Sequence, residues 1–447
     1  MLRSFLAFTF VVLASGPATP ATEDSATVGP ILYTLAKVFD PVAWLHGADR
    51  FPSGAEIFSS NESGRPLVPN FAASADPSVS FDGEKVLFAG KAHESDPWQI
   101  WELDVAGGTP RRITSFPEDC VRPFYLPDDR VVYARKSAGR FVIETKELAS
   151  NRILDLTHIP SNSLPTDVLR DGRILFESTY PLGSEDNPEI YTVYSDGSGV
   201  ESYRCDHGTS RHAAKQQSSG DTVFATSHGL ARFTSARAQQ LSIAAPGGEY
   251  AGDISETAAG EWLMAWRPDA KSPFQLMRWT PGTRDLKAVF VHSDANVVEP
   301  VLLAARTIPN RHPSALHDWP NANLLCLNAY TSKFQMSAGS IHSVRLYTRD
   351  GSGRPRLLGA TPVEPDGSFF VQVPNEQPLQ FELLDGSGKS VQRETGYFWM
   401  RRGEQRVCVG CHAGPESAPE NAVPQILLKS TTPADLTGNS SQSAGGH

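Results

Sequence analysis

Cysteine is scarce in this chain, five among 447 residues, and methionine is as rare at five. So few cysteines over such a length make no disulfide framework. Basic side chains are outnumbered, 40 Lys and Arg against 50 Asp and Glu, for a net charge of −10. That balance argues against nucleic acid as a partner, because phosphate binding needs a basic footprint. A long apolar run is also missing. The stretch from Phe5 to Ala14 is shorter than the roughly 20 residues a bilayer span takes, so no membrane span is expected. It follows Met1-Leu2-Arg3 and precedes the small residues Ala18 and Ala21, the layout of a cleavable export signal over 1–22. The expected location is periplasmic or secreted.

What the chain has instead is repetition. Asp76-Pro-Ser-Val-Ser-Phe-Asp-Gly-Glu-Lys-Val-Leu-Phe88 reads as strand, two-residue turn and strand. The pattern returns with turns at Asp128-Asp129, Asp171-Gly172, near Gly220 and near Gly260, 40 to 48 residues apart. That is the length of a four-stranded propeller blade. An outer hairpin, Ala55 to Leu67, precedes the first full repeat without inner strands of its own. Strands around Val297–Leu303 and Asn323–Asn328 are expected to supply them, closing the ring so that no edge stays open. The expected fold is all-β: a six-bladed β-propeller of WD-like repeats over 23–335, then a small β-sandwich-like domain over 336–420. The Ser-, Thr-, Gly- and Pro-rich stretch 421–447 reads as a disordered tail.

The chemistry concentrates at Cys408-Val-Gly-Cys411-His412, the attachment sequence for one covalent haem c. Thiols three residues apart reach two vinyl groups of one porphyrin, and the next residue lies under the iron. His412 is then the proximal ligand and the metal-binding residue. With this composition such a pentapeptide arises by chance about once in 700 chains. A structural zinc site needs a second ligand pair, and a thioredoxin-like redox pair needs a βαβ setting; neither is evident. For the sixth iron position no Met follows His412, and Met336, His342, Tyr397 and Met400 are the upstream candidates. Arg401, Arg402 and Arg406 are placed to pair with haem propionates. Cys205, His207 and His212 form a second cluster at a blade junction, and Cys120 occupies a comparable junction, close enough in pattern for a Cys120–Cys205 disulfide to be considered.

The order of signal, propeller, β-domain opening near Ile341-His-Ser-Val-Arg345, Thr361-Pro-Val-Glu-Pro-Asp-Gly-Ser368 and the attachment sequence resembles the hydrazine synthase alpha-subunit family, most sharply over 340–412. The resemblance implies a haem-bearing middle domain where small nitrogen compounds react, with Cys408, Cys411 and His412 at its attachment sequence. It also implies a Tyr iron ligand four residues past the His, where this chain has Glu416, and a second haem domain, for which the 35 residues from 413 to 447 are too few. The expected function is a periplasmic monohaem c-type cytochrome performing redox or small-ligand chemistry with a redox partner protein or small molecule. The other reading is a non-enzymatic interaction protein whose haem senses or relays electrons.

Overall fold

The computed structural model describes residues 19–20, 29–61, 65–179, 187–203, 210–236, 238–332, 335–350, 353–394, 396–410 and 422–438. Nearly every element in them is a strand. Residues 73 to 291 form five antiparallel meanders of four consecutive strands each, the fifth extended at its outer edge by Thr19–Pro20. A sixth sheet joins the chain ends: Asn296–Leu302 pairs with Ile31–Ala36, which pairs with Glu56–Ser59. The inner turns fall where the repeats put them. Gly83 and Gly172 hold φ of 80° and 85°, the left-handed conformation these short turns require.

Within a sheet, burial falls from the first strand to the last. Ala73–Val79 and Cys120–Leu126 are buried along their whole length, whereas Arg111–Arg112 and Leu241–Ser242 are exposed. Each sheet packs on the next through its first strand, and the sixth packs back on the first. This is a propeller-like body.

The axis of that body is charged. In each inner strand a bulge breaks the register near its middle. At five of these bulges a non-glycine residue takes a left-handed φ: Asp76, Arg122, Ala213, Asp253 and Glu299, between 52° and 56°. Such a φ costs about 1–3 kcal/mol at each position, and polar bonds around the axis offset it. The Asp76 N–H donates to Glu299 Oε2 at 2.8 Å, the Arg122 N–H to Asp76 Oδ2 at 3.0 Å, and the Ala213 N–H to Glu177 Oε2 at 2.7 Å. Across the axis Arg122 grips Asp253 through two 2.9 Å bonds. Arg50, 2% exposed, reaches Asp76, Asp253 and Glu299.

Both ends of the axis are covered. On one side Arg50 lies over the rings of Phe39, Trp44 and Phe51, and Trp44 packs edge-on against Phe51 and Trp98. On the other, residues 303–312 run across the inner turns: the Arg306 N–H donates to Phe81 O, the Asn310 N–H to Arg170 O, and Arg311 pairs with Asp128. Arg306 also lies over the Phe81 ring at 4.4 Å.

Burial pushes the Glu177 carboxyl up to about 7, with Arg122 opposing, and raises Asp76 as well, helped by the adjacent Glu299. Burial also opposes the charge on Asp253, yet Arg122, Lys215 and Arg50 outweigh it and hold that carboxyl far below the usual range. A raised folded-state value means the folded protein holds its proton more tightly than the unfolded chain. The contribution of Glu177 to stability is therefore fully present below pH 4.5 and lost as pH rises through about 7. Denaturation curves of the parent and of Glu177→Gln should diverge over that window, the parent losing about 3 kcal/mol relative to the variant. A constant difference between pH 5 and pH 8 would contradict this account.

The second domain is a sandwich of two four-stranded sheets. One orders Gln405–Cys408, Ala322–Cys326, Phe369–Val373 and Ala434–Asp435; the other orders Pro355–Pro362, Ser343–Arg349, Gln380–Leu384 and Ser390–Arg393. Leu324, Val344, Leu346, Val371, Leu379, Leu383 and Met400 fill the space between them.

Two expectations need correction here. The strand expected at Asn323–Asn328 to complete the ring lies in the sandwich instead, because Ile31–Ala36 already holds the ring position beside Asn296–Leu302. The tail expected to be disordered from 421 is ordered over 422–438. It forms a short helix, Gln425–Lys429, and the strand Ala434–Asp435 beside Val371 and Gln372. Leu436, 2% exposed, anchors it in the core, and Lys429 pairs with Glu364. Composition hid this because Leu436 lies among Ser, Thr, Pro, Asp and Gly residues. Residues 439–447, and the expected export signal apart from Thr19–Pro20, lie outside the described residues.

Candidate cofactor attachment site

The sandwich meets the propeller-like body through Trp399. Its indole is fully buried among Phe124, Leu126, Val168, Phe176 and Tyr191 of the second and third sheets, and its N–H donates to Gly197 O at 3.2 Å. From Trp399 the chain turns at Gly403 and enters Gln405–Cys408, so Cys408 stands a few residues from this junction.

Cys408 ends its strand half-buried, packed against the sandwich core that holds Ala329, Tyr330 and Met336. Parallel pairing sets it directly beside Cys326, and the Leu327 N–H donates to Cys408 O at 2.9 Å. Gly410 sits tightly on the neighbouring segment: a Cβ there would run into the backbone oxygens of Thr331 and Asn328. Only glycine fits between the two cysteines at that spot. Gly410→Ala should destabilise the protein by about 1–3 kcal/mol through overpacking, read by chemical denaturation; an unchanged midpoint would show that the contact relaxes freely. Cys411, His412 and Glu416 lie outside the described residues.

The three arginines preceding the motif have protein partners. Arg401 pairs with Glu376 at 2.8 Å, Arg402 with Asp318 at 3.0 Å, and Arg406 with Glu404 at 2.6 Å. Glu404 in turn accepts the Gly199 N–H at 3.1 Å, so Arg406 and Glu404 help fasten the sandwich to the third sheet. Arg401 and Arg406 are thus joint-forming residues.

The four upstream ligand candidates separate. Met400 is fully buried in the sandwich core, and the Tyr397 hydroxyl accepts from Arg349 Nε at 2.7 Å at the domain junction. Met336 is half-buried at the core edge and His342 is exposed. The sequence reading overlooked Tyr330, whose hydroxyl accepts the Ile341 N–H at 3.1 Å and whose ring packs beside Gly367. Its signal was the short Asn-Ala-Tyr-Thr turn after Ala322–Cys326, a strand assigned to the wrong domain.

Of the second cluster, Cys205 and His207 lie outside the described residues, while His212 begins the inner strand of the fourth sheet. Burial pushes it down to about 4, so it is neutral at neutral pH. It starts its strand, whereas Leu126 and Val168, which meet Trp399, end theirs, so His212 and the sandwich sit toward opposite ends of the axis. Cys120 is a buried thiol pushed up to about 12 by burial.

Fold and site together define a protein with a propeller-like body and a small β-sandwich that carries a Cys-x-x-Cys-His sequence. Residues 330–413 match the family described as the hydrazine synthase alpha subunit middle domain, and it is this stretch of the chain that is hydrazine synthase alpha-like. Over 93 residues, 20% of this chain and 12% of the relative, it is 28% identical to hydrazine synthase subunit alpha of Kuenenia stuttgartiensis. The solved Kuenenia stuttgartiensis hydrazine synthase superposes with a TM-score of 0.77 at 18% identity, covering 90% of this chain and 72% of that one. Among the described residues no helix is long and apolar enough to cross a membrane.

Proposed function

We propose that this chain is an exported, six-bladed propeller protein bearing one covalent haem c on its sandwich domain, and that it carries out redox or small-ligand chemistry there. The observation that carries the proposal is the Cys408-x-x-Cys411-His412 sequence inside the stretch that matches the middle-domain family. The described residues fit such a group. Cys408 presents a half-buried thiol at the edge of an apolar core, and Gly410 clamps the backbone that follows it. Cys408 and Cys411 would hold the porphyrin edge and His412 the iron. The haem, when bound, supplies an iron centre that exchanges electrons or binds a small ligand.

The covered axis supports a supporting role for the propeller: its centre is filled by ion pairs, leaving its rim as a rigid docking face for a partner. That arrangement also favours the second reading, in which the body binds a partner and the haem only senses or relays. Purified full-length protein made in a host that attaches haem should give a haem-staining band after denaturing electrophoresis, with iron at one equivalent per chain. Carbon monoxide binding to the reduced protein supports small-ligand chemistry; a spectrum unmoved by carbon monoxide supports relay. Extraction of all haem into acidified organic solvent would sink the attachment reading.

A further inference from the structure

Cys326 was given no role by the sequence, and its position supplies one. It lies in Ala322–Cys326, 2% exposed, and is the residue paired with Cys408 in the parallel ladder. Paired residues of a ladder put their side chains on one face of the sheet, and both cysteines pack on the same sandwich core. Neighbouring strands run about 4.8 Å apart, inside the roughly 4.4–6.8 Å between Cα atoms that a disulfide spans. The ladder is closed at this point by the Leu327 N–H on Cys408 O, and Gly410 anchors the chain just beyond. The fold thus places the two residues side by side on one face of the sheet.

We infer that Cys326 is a disulfide partner for Cys408 in the haem-free chain, a reversible cap that must be removed before haem can be attached at that position. The inference rests on the haem reading for its purpose but not for its chemistry. Capping is thiol–disulfide exchange: the Cys326 and Cys408 thiols lose two protons and two electrons, a sulfur–sulfur bond forms, and a disulfide oxidant such as glutathione disulfide is reduced to two thiols. Attachment needs the opposite state. A thioether forms when the Cys408 S–H adds across a porphyrin vinyl group, sulfur to carbon and hydrogen to the neighbouring carbon, with no net electron transfer. A capped sulfur has no hydrogen to give. A dithiol reductant reverses the cap and returns both thiols.

The test uses the full-length haem-free chain equilibrated with glutathione disulfide, blocked at remaining thiols and digested with trypsin without reduction. Expected is a linked pair of peptides 312–333 and 407–429, lighter by two hydrogens than their sum and separated by reduction. The link should persist in Cys411→Ala and vanish in Cys408→Ala and in Cys326→Ala. In a haem-attaching host grown under oxidising conditions, Cys326→Ala should carry more covalent haem per chain than the parent. If only an internal Cys408–Cys411 bond forms, or none, the inference is overturned while the haem reading stands. If the Cys326–Cys408 link forms but no host ever attaches haem, the pairing stands and the haem reading falls.

Discussion

Asp253→Asn should cost about 3–5 kcal/mol of stability, the penalty for removing one partner of a buried ion pair. The substitution hardly changes the shape of the side chain, so the loss is electrostatic. Asp253 is 7% exposed and receives both terminal nitrogens of Arg122 at 2.9 Å, with Arg50 at 3.5 Å and Lys215 at 3.9 Å. Without its charge, Arg122 loses its two-bond partner on a buried axis; Glu299 still holds Arg50 at 3.0 Å, but Asp76 and Glu177, whose proton affinities are raised, offset Arg122 poorly. Adding Arg122→Met to Asp253→Asn should return part of the loss, because it removes the cation the first change leaves bare. Urea denaturation of the single and double variants decides the matter. A single-variant loss under about 1 kcal/mol would mean that solvent reaches the axis and screens it.

The largest functional effect belongs to the attachment cysteines. Cys408→Ala combined with Cys411→Ala should abolish covalent haem altogether, from one equivalent per chain to none on a denaturing gel. The fold should survive, since Cys408 is only half-buried and lies on an edge strand of the sandwich. His412→Ala should act differently: the porphyrin stays bound through both sulfurs, while the ferric and ferrous spectra and the reduction potential shift because the iron has lost its imidazole. Unaltered spectra in His412→Ala would assign the proximal position to another residue, with Glu416 the first to try.

Much of this architecture could be read from the chain. The Asp-Gly turns at 82–83 and 171–172 and the spacing between turns located the strands of the body, because a short turn requires a left-handed glycine at a fixed place. The attachment sequence is equally local. What stayed hidden depends on contacts between distant residues. Nothing near Asn323 tells whether that strand pairs with Ile31–Ala36 or with Phe369–Val373; the choice is made by partners far along the chain. The charged axis was hidden for another reason. Asp76, Arg122 and Glu299 sit in buried inner strands, where a period-two pattern gives no hint that a bulge turns them inward. Only the proline following each of the three marks these positions as unusual. Arg401 and Arg406 looked like propionate ligands because proximity in sequence suggested a shared site, whereas Glu376 and Glu404 hold them.

The sixth sheet has a consequence for how the molecule is made. Its strands come from opposite ends of the body, and the Thr34 hydroxyl donates to Glu299 across 265 residues of chain. The ring therefore cannot shut until residue 302 has been synthesised, however early the individual meanders form. Until then the charged axis lacks Glu299, leaving the Asp76 backbone N–H and one carboxylate contact of Arg50 unmet. Closure of so long a loop should be the slow step of folding, and a nascent chain paused before Asn296 should be as sensitive to protease as an unfolded one.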